Sequence, residues 1–288
     1  MAEISAVMVM KLRKMSGQGM MDCKKALQDT DGDVEKAIDL LRKKGLATLA
    51  KRAGRDTSEG LVVSKISPDG KTAALATLCC ETDFVAKSDD FVATAQILAD
   101  VTLVCPADEG IENVLETSAD GRKFGDIMTE LVSKTGEKTQ VGDYAKYQLD
   151  GPGLISTYIH FNEKVGTMVQ IETSDEAIAD GEVLKQTAAD IAMHITATKP
   201  LALDKDQIDP ETIEREKAIF AEQVKNKPAN IIDKIVEGKI NKFYAENCLL
   251  QQPFVKDDSR SVEQVLADAA KQAGGEAKIK RFARFEVG

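Results

Sequence analysis

The feature that most constrains this chain is an order of predicted elements, strand, strand and helix, that occurs twice. The first strand pair, LVVSKIS and KTAALATLCC, flanks Pro68-Asp69-Gly70, a turn in which proline fixes φ and glycine permits a positive φ. The second pair, LISTYIHF and VGTMVQIET, flanks a turn at residues 162–164. A helix with apolar residues at helical spacing follows each pair: Phe91, Ala95, Leu98 and Val101 in the first, and Leu184, Ala188, Ile191 and Ile195 in the second.

Short fragments also recur about 91 to 93 residues apart, which relates the two halves to each other. Glu81-Thr82 matches Glu172-Thr173, and TAQILAD matches TAADIAM. Ser88 is placed to cap the helix of the first half. We therefore predict an α+β core of two related strand-strand-helix subdomains, each with an antiparallel sheet and helices packed on one side.

The first 45 residues predict a compact module of three helices. SGQG interrupts the first helical pattern, and the third helix begins after Asp31-Gly32. This third helix is predicted to end at Gly45, with cationic residues in its last turn, and residues 46–59 predict a helical extension that runs into a linker. The residues at helical spacing are Ile4, Met8, Leu12 and Met15, then Met20, Cys23 and Leu27, then Val34, Ala37, Ile38 and Leu41.

Residues 210–247 predict two helices separated by a break at Asn226-Lys227-Pro228. So short a break favours antiparallel neighbours, and the narrow apolar seam predicts a coiled coil that projects from the core. The alternative is an ordinary pair of packed helices. A helix at residues 259–272 and a C-terminal strand, IKRFARFEV, are predicted to follow.

Charge is distributed unevenly along the chain. The net charge is −10, but residues 1–55 contain 12 Lys and Arg against 7 Asp and Glu, so this segment carries +5 and the remainder −15. A basic lobe suits either nucleic acid or an acidic protein partner. For the whole chain, a pI near 5.0 argues against a protein that tracks a nucleic-acid backbone.

The cysteines and the hydropathy pattern indicate a cytoplasmic protein. The 5 cysteines contain no CxxC pair, so we expect free thiols in a reducing compartment. The N-terminal residues lack a signal-peptide pattern, and no stretch approaches the ~20 apolar residues that span a bilayer. We therefore expect no membrane partner.

The sequence contains few groups that could perform catalysis. It has 2 histidines, and His194 lies in an otherwise apolar helical pattern, where a hydrogen-bonded core imidazole is expected. We find no zinc spacing, nucleophile elbow or dinucleotide fingerprint. The pattern favours a binding protein without cofactor or metal over an enzyme. An enzyme that uses Cys79 or Cys80 with His160 is an open alternative, which requires a thiol of low pKa.

The segment ETDFVAKSDDF, residues 81–91, places an aromatic residue in a polar loop between a strand and a helix. An exposed aromatic on a rigid loop is a candidate anchor for a pocket in a partner protein. Alternatively, Phe84 folds back and covers the core. The residues alone favour neither.

Several segments resemble one known family in the same order along the chain. TDFVAK preceded by Cys-Glu, and GQGMMDCKKAL at residues 17–27, resemble the two signatures of the elongation factor Ts family. IAMHITATKP, VEGKINKF, QPFV and RFEVG resemble further segments of it. Cys79 stands where the family commonly has Asn, and residues 105–150 match only weakly.

The resemblance implies a domain organisation that agrees with the element pattern. It comprises an N-terminal ubiquitin-associated-like module, a core of two subdomains, an inserted antiparallel helical coiled coil and a C-terminal module. The predicted boundaries are 1–55 for the N-terminal module and linker, 56–150 for the first subdomain, 151–209 with 248–275 for the second, 210–247 for the coiled coil, and 276–288 for the C-terminal strand.

The resemblance also implies a partner, elongation factor Tu, and a non-catalytic mechanism. In it, Phe84 wedges between helices of the nucleotide-binding domain of Tu, Asp83 disturbs the magnesium site, and His160 contacts another Tu domain. One-to-one and heterotetrameric complexes both remain open. An alternative based on the N-terminal module alone is a ubiquitin-like-binding or scaffold adaptor. The implied contact residues are Leu12, Met20, Met21, Lys24, Thr82, Asp83, Phe84, Val85 and His160.

Overall fold

The computed structural model describes residues 4–16 and 18–288, so Gly17 of the first family-like segment lies outside the described residues. The N-terminal module contains α1 (Ala6–Ser16), α2 (Met20–Asp29) and α3 (Val34–Lys51), as predicted. Its core includes Val9, Leu12, Cys23, Leu27 and Leu41. Met15 of the predicted inward face is instead exposed, because α1 turns Val9 and Leu12 inward.

The first half of the core follows the predicted strand, strand and helix order. It comprises β1 (Glu59–Ile66), β2 (Thr72–Cys80), α4 (Asp83–Ala86) and α5 (Asp89–Val104). Ser88 caps α5, as predicted, by accepting a hydrogen bond from the Phe91 amide. The weakly matching stretch adds α6 (Ile111–Glu116), β3 (Ser118–Ala119), β4 (Arg122–Lys123), α7 (Phe124–Thr135) and β5 (Thr139–Gln148).

The second half repeats this order with β6 (Gly153–Ile159), β7 (Val165–Thr173), α8 (Glu176–Asp180) and α9 (Glu182–Thr198). The four apolar residues predicted to lie on one face of α9 are all fully buried, which confirms that face. The helical hairpin comprises α10 (Pro210–Gln223) and α11 (Ala229–Asn247). It is joined at the predicted break.

The chain ends with β8 (Pro253–Phe254), β9 (Asp257–Ser261), α12 (Val262–Gln272) and β10 (Ala277–Glu286). The last helix begins three residues later than predicted, since Ser261 and Gln264 form a capping box that fixes its start. Strand β10 pairs with β7, so the predicted C-terminal strand is part of the second sheet. The domain boundaries stay a prediction.

Two three-stranded antiparallel sheets pack face to face between outer layers of helices. Their strand orders are β1-β2-β5 and β10-β7-β6. Helices α5 and α7 cover the outer face of the first sheet, and α9 and α12 cover that of the second. The inner faces meet through residues such as Val62, Leu75 and Met168. Strands β2 and β7 are buried along most of their length because both of their faces are covered.

The predicted stop at Gly45 is wrong, because α3 continues without interruption to Lys51, and the first part of the helical extension predicted for residues 46–59 belongs to the same helix. Gly45 lies against α7, where an added Cβ would be 2.7 Å from the Thr129 carbonyl oxygen and 2.9 Å from Ser133 Cβ. The glycine therefore permits close approach of two helices and does not end one. Ser133 also donates a hydrogen bond to the Leu41 carbonyl, and Arg42 pairs with Asp126. These contacts attach the N-terminal module to α7.

Candidate functional site

The most exposed feature of the predicted site is Phe84, which lies on α4, a helix of four residues between β2 and α5. Its side chain is 83% exposed, whereas Phe91, seven residues later, is fully buried in the core of the first half. The alternative in which Phe84 covers the core is therefore wrong. The ring is accessible from solvent, as an anchor residue would be.

The segment that carries Phe84, residues 82–88, is held by side-chain hydrogen bonds, and we call it the Phe84 turn. Thr82 caps α4 by accepting a hydrogen bond from the Val85 amide at 3.4 Å. Ser88 Oγ donates to the Val85 carbonyl oxygen at 2.8 Å, at the other end of the turn. A turn fixed at both ends loses little conformational freedom when its aromatic residue enters a pocket.

Glu137 supports the Phe84 turn from the connection between α7 and β5, in a region where the sequence predicted no site residue. Its carboxylate accepts one hydrogen bond from the Thr82 amide at 3.1 Å and another from the Thr82 hydroxyl at 2.9 Å. The only local signal is Gly136, which ends α7 in the left-handed conformation with φ +70 and directs the chain back towards β2. The partner, 55 residues away, could not be read from the sequence.

Asp83 projects from the same turn and is paired within the chain. Its carboxylate lies 2.7 Å from Lys87 Nζ, one helical turn later. The hydrogen bond from Lys87 lowers the pKa of Asp83, with a smaller contribution from the charge of Lys164, so the carboxylate is ionised at neutral pH. Both side chains are largely exposed, and water and salt therefore weaken the pair enough for a partner to replace it.

The other two predicted residues of this segment face inward. Thr82 is half-buried and supports the turn through the hydrogen bonds described above. Val85 packs against the core of the first half. Of the four residues TDFV, only Asp83 and Phe84 therefore project as potential contact residues.

The N-terminal module presents a methionine-rich surface, and one predicted contact residue is not part of it. Met21 is 72% exposed, and Met20 and Lys24 are also exposed. Met10, which belongs to none of the patterns described above, is 62% exposed. Leu12 is fully buried in the module's core, so the prediction that its side chain contacts a partner is wrong. Exposed, flexible methionines suit a protein-binding surface.

His160 lies on the turn between β6 and β7, residues 160–164, which we call the His160 turn. Its Nδ1 is 3.2 Å from the Tyr158 hydroxyl, and the neighbouring Phe161 is 88% exposed. Lys164 of this turn pairs with Glu59 at 2.6 Å. Because Glu59 is opposite Cys80 in the first sheet, the His160 turn and the Phe84 turn lie at the same end of that sheet.

The remaining candidates for chemistry are structural. All five cysteines are buried and unpaired, and burial raises the pKa of Cys80 to about 12, which is opposite to what a nucleophilic thiol requires. His194 is fully buried, with Nδ1 accepting from the Val255 amide at 3.1 Å, so Nε2 carries the proton and donates to Gln252 Oε1 at 3.0 Å. It is the hydrogen-bonded core imidazole that the sequence predicted.

Two further features concern metal binding and membrane insertion. Within residues 4–16 and 18–288, no group of three or more His, Cys, Asp or Glu side chains is arranged to hold a metal ion. Over the same part of the chain, every helix is too short or too polar to cross a membrane.

Comparison with known proteins gives a consistent result along the chain. Residues 81–288 match the family model described as Elongation factor TS. The chain is 44% identical over 287 residues to Elongation factor Ts of Nitratiruptor sp., covering 99% of this chain and 93% of that protein. It is 40% identical over 291 residues to Elongation factor Ts of Desulfovibrio desulfuricans, covering 100% and 99%. It is 42% identical over 287 residues to that of Clostridium botulinum, covering 99% and 93%. The chain therefore belongs to the elongation factor Ts family.

Proposed function

We propose that this chain binds elongation factor Tu in its GDP-bound form, promotes release of GDP, and stays bound until GTP enters. The observation that carries the proposal is the presentation of Phe84, 83% exposed on a turn fixed at both ends. The proposal assigns this ring the role of a wedge between helices of the nucleotide-binding domain of Tu. Family membership supports the identity of the partner.

The mechanism follows from thermodynamic linkage and involves no covalent step. A protein that binds nucleotide-free Tu more tightly than GDP-bound Tu weakens GDP binding by the same factor, because coupling free energies are reciprocal. Magnesium supplies much of the positive charge beside the phosphates of a bound nucleotide. In our proposal, insertion of Phe84 brings the Asp83 carboxylate close enough to disturb that magnesium site, with Lys87 giving up its hydrogen bond.

Separate surfaces of the chain would contact different parts of Tu. We assign the methionine-rich surface, with Met20, Met21 and Lys24, and the Phe84 turn to the nucleotide-binding domain. The His160 turn would contact another Tu domain, and its exposed Phe161 supports that role. Direct nucleic-acid binding is no part of this proposal, and the complex is either one-to-one or a heterotetramer. Five unpaired thiols suit a cytoplasmic location.

The direct test measures release of a fluorescent GDP analogue from purified Tu, with and without this protein. Acceleration that increases with the protein's concentration is expected, and an unchanged release rate would refute the proposal.

Asp83→Ala tests the magnesium step. It should slow assisted release moderately, and the defect should diminish at low magnesium, where less of the ion remains to be displaced.

The adaptor alternative explains fewer observations. A ubiquitin-like-binding adaptor would use only the N-terminal module, and it gives no role to an exposed aromatic that is supported from two strands. It would also leave the rate of GDP release from Tu unchanged, so the same measurement separates the two functions.

A further inference from the structure

We propose that Glu137 is a positioning residue that fixes the orientation in which the Phe84 turn meets its partner. This inference rests on the proposed function. Helix α4 has four residues, and a single helical turn is unstable in water without external support. The exposed Phe84 ring supplies no such support. Val85 and Ala86 pack against the core, and hydrogen bonds from outside the turn add to that support.

Glu137 accepts two hydrogen bonds from Thr82 and thereby orients the Thr82 hydroxyl to accept a third. Because the Thr82 hydroxyl donates its proton to Glu137, its lone pairs are free to accept from the Val85 amide and cap α4. The same carboxylate accepts from the Thr82 amide. Hydrogen bonds to an ionised carboxylate are about twice as strong as those between neutral groups. Glu137 thus determines both the backbone position and the side-chain rotamer of the capping residue.

The position of Glu137 follows from the pairing of β2 with β5. Backbone pairing in this ladder reaches Cys80 and Thr139. Beyond these two residues, each of the two segments donates a backbone amide hydrogen bond to a carboxylate of the other. The Thr82 amide donates to Glu137, and the Lys138 amide donates to Glu81 at 2.6 Å. Two amides just beyond the ladder are thereby satisfied by carboxylates of the opposite segment.

The same segment reaches the N-terminal module. Lys138 Nζ donates to the Ala53 carbonyl oxygen at 2.9 Å and to that of Arg55 at 3.0 Å, just beyond α3. Arg52 donates to both oxygens of Glu81 at 2.8 Å. Residues 137–138 therefore fix the Phe84 turn and the end of the N-terminal module to one segment, directly before β5. This arrangement fixes the position of the Phe84 turn relative to the methionine-rich surface of the N-terminal module before the partner binds.

The test compares Glu137→Ala with Glu130→Ala, a control on α7 that loses surface ion pairs with Arg122 and Lys134 and makes none of the contacts to the Phe84 turn described above. In the free protein, hydrogen–deuterium exchange at the Thr82 and Val85 amides should become about tenfold faster or more in Glu137→Ala. It should be unchanged in Glu130→Ala. Glu137→Gln keeps one acceptor oxygen and should give an intermediate rate. Unchanged protection in Glu137→Ala would overturn the inference, whatever the protein does to Tu.

A double-mutant cycle then tests whether Glu137 acts through Phe84. Glu137→Ala should slow assisted GDP release about tenfold in the wild-type background and have little further effect in Phe84→Ala. An equal effect in both backgrounds would show that Glu137 acts independently of Phe84 and would overturn the inference. If wild type itself fails to accelerate release, the proposed function fails. The amide-exchange result still decides whether Glu137 positions the turn.

Discussion

At the scale of single residues, two phenylalanines of one segment have opposite roles. Phe84→Ala removes an exposed ring, so the melting temperature of the free protein should stay within a few degrees of the parent. Loss of an aromatic anchor costs about 2 to 4 kcal/mol at an interface, which predicts assisted GDP release slower by about 30-fold or more. Differential scanning calorimetry and the fluorescent GDP assay measure the two effects. Normal release kinetics in Phe84→Ala would contradict the wedge.

Phe91→Ala is the matched control for this prediction. Phe91 is fully buried in the core of the first half, so its truncation should destabilise the fold by about 3 to 5 kcal/mol. The remaining folded protein should present Phe84 normally. Phe84→Ala should therefore lose assisted GDP release and keep its stability, whereas Phe91→Ala should lose stability and keep assisted GDP release in its folded fraction. If both variants lose both properties, exposure does not distinguish the roles of the two rings.

The other prediction at this scale concerns pH and His194. Burial lowers the pKa of His194 below its ordinary value, so the folded protein resists a proton that the unfolded chain accepts near pH 6.5. Linkage then makes stability fall as pH decreases below about 6.5, by about 1.4 kcal/mol for each unit by which the folded pKa is lowered. Urea titrations from pH 7 to pH 5 measure this slope. His194→Gln should flatten it, and equal slopes in the two proteins would contradict the assignment.

At the scale of elements, two helical glycines provide opposite predictions. Gly45→Ala should destabilise the protein by about 1 to 3 kcal/mol, because its new Cβ meets the α7 backbone and the helices must separate. Gly238→Ala in α11 is the control, since a Cβ there has nothing within 4 Å. It should stabilise the protein by about 0.5 to 1 kcal/mol through helix propensity alone.

Chemical denaturation measures both glycine effects, and limited proteolysis adds information on Gly45. Loosening of α3 from α7 should make the segment between α3 and β1 more susceptible to cleavage. If Gly45→Ala is as stable as Gly238→Ala, then the contact between α3 and α7 is looser than the structure shows. The N-terminal module would then not be held against α7.

At the scale of the whole molecule, the helical hairpin is predicted to be a peripheral arm. Among the side chains described in it, only Ile213 and Ile240 are buried, and they pack with Ala202, Ile208 and Cys248 at its base. Replacing residues 210–247 with a short Gly/Ser link should therefore preserve a cooperative transition and lower the melting temperature by only a few degrees. Calorimetry measures this. Loss of the cooperative transition would place the hairpin in the core.

The sequence by itself determined the family and most of the elements outside residues 105–150. Helical spacing predicted α5 and α9 with their buried faces, because side-chain periodicity reflects local backbone geometry. Turn residues located the break between β1 and β2 for the same reason. The family-like segments identified the chain and directed attention to Phe84. Gly45 shows the limit of local rules, since the sequence does not distinguish a glycine that ends a helix from one that admits a neighbouring helix.

Only the tertiary structure decided which residues of the candidate site face solvent and what supports them. Leu12 and Met15 lie in one apolar pattern, and packing against α2 and α3 buries the first and leaves the second exposed. The apolar residues of β2 require cover on both faces but do not specify that a second sheet provides it. Glu137 and Thr82 are 55 residues apart. Contacts over such a distance depend on strand pairing that no local pattern encodes. The family resemblance could therefore point to Phe84, whereas the exposure of its ring and the contacts that support it came only from the structure.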